Sequence, residues 1–406
     1  MYYFLVSILV FFSIKYEINR KKTFNILLYF TIIIICAFKY KMGGDWYNYQ
    51  NFYENINPSI KILDFFNGNI FIYSKKYYFE VGYIFVNYFF YKLGFNYEIF
   101  QAIIIGSCLF TMFRYIEKKS ANFYFAISIL FFSSFYLYIF EPFLRQLIAI
   151  VIVLKALKYI SKNKPYNFIF FIFLAAQFHK SAYLLIFIYF LKYIKINNKT
   201  LIFYLFIFYV LLSNISLFID KIPILSMYGI YFKEKSILNI IGEKRDILIK
   251  LFKIFIMLLR INLILYSYRF SRKNDEVIQK MGLIFCIISY LSNILPIIER
   301  FQGYFLIPYV ICLSNLGNLL LLKKYKIKVL NNIIALSLLF FSIHLNMKFL
   351  QSEGVKEKFI YQNYIINYLN GDFVNKYEKK KDLEEYFYFI LLENKKVTEK
   401  KEELRK

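Results

Sequence analysis

Along the chain, long apolar runs alternate with short clusters of charged and turn-forming residues. The runs fall near residues 2–14, 24–38, 99–113, 122–140, 143–160, 166–178, 181–194, 200–219, 248–267, 281–297, 301–321 and 329–347. Each is continuous rather than alternating with a period of two, which excludes a membrane β-barrel, and in lipid only helices and closed barrels satisfy their own backbone. The pattern therefore predicts an all-α fold, a polytopic membrane helix bundle of about twelve transmembrane helices, several of them shorter than the ~20 residues a full span requires. Residues 1–348 form the predicted transmembrane domain. Residues 349–406 form a charged C-terminal tail that reads as charged helix or disorder without a packed core.

Basic clusters orient the bundle. Lys15 to Lys22, Arg114 to Lys119, Lys155 to Lys164, Lys192 to Lys199, Arg269 to Lys273 and Lys323 to Lys328 all belong on the cytoplasmic side by the positive-inside rule. Alternation then puts residues 39–98 and the turns at Glu141, at His179 and at Glu299 and Arg300 on the opposite face. The segment Phe79 to Leu93 is apolar enough to cross, yet a crossing there would invert Arg114 to Lys119, so it is predicted to be re-entrant or interfacial. The first run lacks a preceding basic stretch and a cleavage site, and reads as an uncleaved span that starts outside. Parity leaves the C-terminus outside too, unless a further short crossing at 383–392 reverses it.

Composition strengthens this reading. Hydrophobic residues make up 59% of 406, and a dozen spans of ~20 residues leave no room for a large soluble domain. The 52 Lys and Arg against 26 Asp and Glu give a net charge of +26. In a soluble chain that would point to nucleic acid, but here the lysines interrupt apolar runs and face an anionic leaflet instead. No nucleic-acid partner is expected. The four cysteines sit in apolar runs without metal-ligand spacing and read as packing residues.

No Gly-rich phosphate loop, nucleophile elbow, HExxH pair or Asp-x-Asp metal motif is present. What remains is a small set of polar groups on one predicted face. Met42 to Tyr49 pairs two glycines with Asp45, Trp46, Tyr47 and Tyr49. Asp45 reads equally as an acid for chemistry or a turn residue, and Trp46 as a sugar-stacking ring or an interfacial anchor. Glu80-Val81-Gly82-Tyr83 places an acid at the mouth of the parity-breaking segment. In Glu141-Pro142-Phe143-Leu144-Arg145-Gln146, Arg145 falls inside an apolar run, where an ionisable group is costly and needs a partner. Glu141, four residues earlier, is the partner the helical pairing rule supplies; a structural pair or a snorkelling Arg remains open. His179-Lys180-Ser181 lies between two runs, whereas His344, deep in the last one, reads as a core histidine. Glu299-Arg300 puts a second Arg at an outer helix start.

Taken in order, Gly44-Asp45-Trp46 with Tyr49, Glu80-x-Gly82-Tyr83, Arg145-Gln146, His179-x-Ser181-Ala182 and Arg300 with Tyr304 resemble the EpsG-type branch of the Wzy polysaccharide polymerases, over roughly residues 24–310. Gly44 and Val81 stand where family members often carry Thr and Pro. The resemblance implies an enzyme of the bacterial inner membrane that acts on the non-cytoplasmic face. It would transfer a growing glycan from undecaprenyl diphosphate to a lipid-linked repeat unit of an O-antigen or capsule, with a chain-length regulator as a further partner. Such chemistry asks for cations on the departing pyrophosphate, which Arg145, Arg300 and Lys180 can supply without a metal. It also asks for a base, with His179 first and Asp45 and Glu80 behind it. Trp46, Tyr47, Tyr49 and Tyr83 would line the sugar path. No cofactor is expected, since the energy resides in the bond from sugar to phosphate. A ligase, or a flippase or exporter of lipid-linked sugar, is the alternative.

Overall fold

A computed structural model describes residues 22–40, 46–132, 144–194, 257–258, 260–265, 276–291 and 299–321. The expected runs at 2–14, 200–219 and 329–347, the charged tail, Asp45, Glu141 and His344 lie outside the described residues. Among those described, every regular element is helical and none is a strand, so the all-α expectation holds. Among the described residues one helix, Tyr97–Lys119, is long and apolar enough by itself to cross a membrane.

Helix α1 spans Lys22–Ala37, and α2 spans Trp46–Asn51 before tightening through a π turn, Phe52–Ile56, and a 3₁₀ turn, Asn57–Ser59. Short helices α3 (Ile62–Phe66) and α4 (Ile70–Tyr77) lead to α5, Val81–Lys92. At 1.5 Å per residue α5 is ~18 Å long, well short of a ~30 Å hydrocarbon core.

The long helix α6, Tyr97–Lys119, starts where the Asn96 side chain accepts the Ile99 N–H at 2.9 Å, and it ends on Lys118 and Lys119. A capping oxygen at the start and cations at the end both complement the helix termini. Its buried stripe, Phe100, Ile105, Leu109, Met112 and Ile116, recurs every three to five residues and faces α1 and α8. Helix α7 spans Phe123–Phe132, α8 spans Leu144–Ser161 and α9 spans Pro165–Ala176. Helix α8 is buried on most of its circumference, as expected of an element apolar almost all round. It packs against α6, α9 and α11.

A 3₁₀ helix, Lys180–Tyr193, follows α9; its buried residues Ala182, Leu185 and Ile188 repeat every third position, the period of that helix. Helices α10 (Glu276–Leu291) and α11 (Glu299–Leu321) run antiparallel, with the rings of Phe285 and Tyr309 stacked 4.4 Å apart. Outward-facing Phe110, Phe170, Phe187 and Phe190 are all exposed. Such a surface is costly in water but not in lipid. All four cysteines are buried and free.

Long-range bonds show which helix ends lie together. Gln101 donates to the Lys39 carbonyl at 3.0 Å, joining the end of α1 to the start of α6. Tyr53 donates to the Phe95 carbonyl at 2.9 Å, holding the α2–α5 segment to that same end. Burial pushes the Tyr53 phenol above its ordinary pKa, so it keeps the proton it donates. Towards the other end, Ala121 N–H reaches the Asn315 side chain at 2.7 Å and Ser314 donates to the Asn122 carbonyl at 2.9 Å, tying the start of α7 to the later turns of α11. Among the described residues, these bonds place the end of α1 and the start of α6 together at one end, and the start of α7 and the later turns of α11 together at another.

Candidate active site

The α2–α5 segment closes over Arg145, which lies in the first described turn of α8. Phe79 and Tyr49 stack on each other at 5.2 Å and 20°, and the guanidinium carbon lies 4.8 Å from the Phe79 ring centre and 5.6 Å from that of Tyr49. Arg145 Nε donates to the Tyr49 hydroxyl at 2.9 Å, while Nη1 donates to the Tyr78 carbonyl and to Glu80 Oε2, both at 2.7 Å. Three of the five N–H groups an arginine carries are thus fixed by the protein. Among the described residues the two on Nη2 have no partner, and Arg145 lines a cleft.

The ion pair is largely withdrawn from solvent, with side-chain exposures of 20% for Arg145 and 9% for Glu80. Removing one partner of such a pair costs ~3–5 kcal/mol, because the other is stranded. Glu141, the partner suggested by helical spacing, lies outside the described residues. Glu80 comes from 65 positions away in sequence.

Glu80 stands immediately before α5 in an extended conformation, and its second oxygen, Oε1, accepts the Lys180 N–H at 3.1 Å. Two residues on, Gly82 N–H donates to the Gln177 carbonyl at 2.9 Å. A Cβ at position 82 would meet Gln177 Cβ and its carbonyl oxygen at 2.8 Å each. Only glycine permits that approach. The start of α5 is thereby sewn to the corner between α9 and the 3₁₀ helix, which carries His179. The imidazole Nδ1 is hydrogen-bonded to Ser181 Oγ. Ser181 Oγ also bonds the Tyr304 hydroxyl of α11 at 3.0 Å, and Tyr304 lies 3.4 Å from the same ring nitrogen.

Of the residues expected from sequence, Arg145, Glu80, Tyr49, His179 and the Lys180 backbone therefore meet at one end of the bundle; the Lys180 side chain is exposed. Arg300 belongs to α11, one turn before Tyr304, but only its backbone is described. Asp45 lies outside the described residues. Trp46 and Tyr83 are both 0% exposed, their rings packed against Tyr40, Tyr47 and Tyr97 in the first case and Tyr49 and Phe79 in the second. They form the floor beneath the site rather than free stacking faces. Tyr47 is half-buried.

Sequence reasoning missed Phe79, the Tyr78 carbonyl and Gln177. Tyr78 holds φ 57°, a left-handed conformation that costs an L-residue ~1–2 kcal/mol, and no glycine or asparagine marks it.

Beside Arg145 opens a cleft of about 370 Å³, lined also by Asn48, Asn51, Lys76, Tyr77 and Tyr78. Among the described residues no group of three or more His, Cys, Asp or Glu side chains converges where it could hold a metal ion. What the arrangement offers is a pre-positioned cation, with an imidazole in a hydroxyl network tied to it through Glu80 and Lys180.

Comparisons with curated proteins and with solved structures found no match. The profile of the EpsG family matches residues 22–370, a stretch that contains Arg145, Glu80, His179, Ser181 and Tyr304. The chain therefore belongs to the EpsG family, a membrane family of polysaccharide biosynthesis with a polymerase-like role.

Proposed function

We propose that this protein is a multi-pass glycosyltransferase of the bacterial inner membrane that polymerises oligosaccharide repeat units carried on undecaprenyl diphosphate, on the non-cytoplasmic face. The observation that carries the reading is Arg145, held by three hydrogen bonds beside a cleft, with two N–H groups that have no partner among the described residues. A preorganised guanidinium is suited to a diphosphate that gains charge as it leaves. In the reaction, an acceptor hydroxyl oxygen bonds to the anomeric carbon of the donor glycan. The bond from that carbon to the diphosphate oxygen breaks, undecaprenyl diphosphate departs with the electron pair, and the hydroxyl proton passes to a base.

His179 is assigned as that base. When Nδ1 donates to Ser181, the Ser181 hydroxyl can donate onward to Tyr304, and Nε2 carries the lone pair that takes the proton. Glu80, with both oxygens engaged, positions Arg145 and Lys180. Arg300 and Lys180 add positive charge for the diphosphate. Replacing His179 by Ala is expected to slow extension of a lipid-linked repeat in proteoliposomes by at least about 100-fold, with insertion unchanged; extension at the normal rate would pass the base role to Asp45.

A flippase or exporter of lipid-linked sugar, and a ligase, are the rival functions. Transporters tend to carry their ionisable groups near the bilayer midplane, whereas Arg145, Glu80 and His179 meet at one end of the bundle. Deleting the gene in the native host is expected to leave surface lipid bearing a single repeat unit. Surface lipid with no repeat at all would reject polymerisation in favour of export or ligation.

A further inference from the structure

The cleft beside Arg145 has the makings of a saccharide subsite, and its volume of about 370 Å³ falls in the range of small-molecule sites, ~300–1,000 Å³. Its walls carry two cations, Arg145 and Lys76, and two exposed carboxamides, Asn48 and Asn51, and no Asp or Glu lines it among the described residues. Asn51 accepts from the Asn55 amide at 2.7 Å through its oxygen, which leaves its own N–H groups to donate. The turn that closes α4 then places Tyr78 at the cleft with φ 57° and ψ 32°.

A left-handed backbone is unfavourable for a residue with a Cβ, yet here it has two results at once. The Tyr78 carbonyl reaches Arg145 Nη1, and the Tyr78 side chain is left 85% exposed. No aromatic or cationic group among the described residues covers that ring, in contrast to Trp46 and Tyr83, whose faces are packed.

We propose that Tyr78 is the stacking platform of a sugar subsite in this cleft, with Asn48 and Asn51 bonding the sugar hydroxyls and Lys76, beside Arg145, holding the phosphate that the sugar carries. This rests on the glycosyltransferase reading for its ligand class. A pyranose presents C–H groups on its faces and hydroxyls around its edge, so one free aromatic face, flanking amides and cations on one side fit a sugar phosphate. The backbone strain persists because the same turn delivers both the carbonyl that fixes Arg145 and the ring that receives the sugar.

The test uses the full chain in lipid nanodiscs and two probes, the host's repeat-unit oligosaccharide with a phosphate at its reducing end and the same oligosaccharide dephosphorylated. Tyr78→Gly removes the ring while suiting the left-handed backbone, and should weaken binding of both probes about tenfold. Tyr78→Phe keeps the ring and should bind like the wild type, and Lys76→Gln should weaken the phosphorylated probe alone. Wild-type affinity of Tyr78→Gly for both probes would overturn the subsite. If the wild type extends lipid-linked repeats and Tyr78→Gly does so with unchanged KM, the subsite fails while the polymerase reading stands. If the wild type binds the oligosaccharide through Tyr78 but makes no polymer, the subsite stands and the polymerase reading falls.

Discussion

Exchanging Arg145 for Lys is expected to abolish chain extension, by at least about 100-fold in rate, in a protein that still inserts in the membrane. A lysine keeps the charge but loses the geometry. Its single nitrogen can follow the arginine to Glu80 or to the Tyr78 carbonyl, but it cannot also reach Tyr49 through a second nitrogen, lie flat against Phe79, and present two parallel N–H groups to an oxyanion. Each charge-assisted bond lost in this partly enclosed setting weakens the hold by ~1.5–3 kcal/mol. The measurement is polymer length on a gel, from proteoliposomes supplied with lipid-linked repeat, at matched amounts of inserted protein. Polymer of normal length from the Lys variant would remove Arg145 from the mechanism. The same substitution at Arg300 separates the two cations, since each is assigned to the departing diphosphate.

Gly82→Ala is the second large effect, and it acts through shape alone. The added methyl would sit 2.8 Å from both Cβ and the carbonyl oxygen of Gln177, and a carbonyl oxygen is backbone that cannot swing aside as a long side chain does. Overpacking of this kind costs ~1–3 kcal/mol. Its functional effect should exceed that figure, because the start of α5 carries Glu80 and any shift there disturbs both Arg145 and the Lys180 N–H. The variant should lose thermal stability in detergent and most of its extension activity. Gln177→Ala should not rescue it, since Cβ and the carbonyl remain. Wild-type stability and activity in Gly82→Ala would show that α5 and the α9 corner are not in such close contact.

The sequence was most informative about single residues whose cost is intrinsic. An arginine inside an apolar run announces itself, because a charge in that setting persists only with a partner or a purpose. The order of the short polar motifs pointed to the family later matched over residues 22–370. Partner choice was not legible in the same way. The i to i+4 rule pairs residues on one helix and so proposed Glu141, which lies outside the described residues, whereas the carboxylate seen on Arg145 is that of Glu80, an extended residue just before α5 that no spacing on α8 could indicate. Aromatic roles were equally hidden. With 22% Phe, Tyr and Trp in the chain, a ring near a motif says little about whether its face is free. Trp46 and Tyr83 looked suited to sugars and are packed away, while an exposed ring at the cleft belongs to Tyr78.

Local composition thus determined that the described residues are all-α and which cation lies in apolar surroundings, since those properties follow from each segment's own exchange between water and an apolar medium. Which carboxylate holds that cation, that His179 joins Ser181 and Tyr304 from a third helix, and that the site rests on a contact only glycine allows were decided by tertiary packing. Those are distances between segments remote in sequence, set by how the helices close upon one another, and no local pattern encodes them.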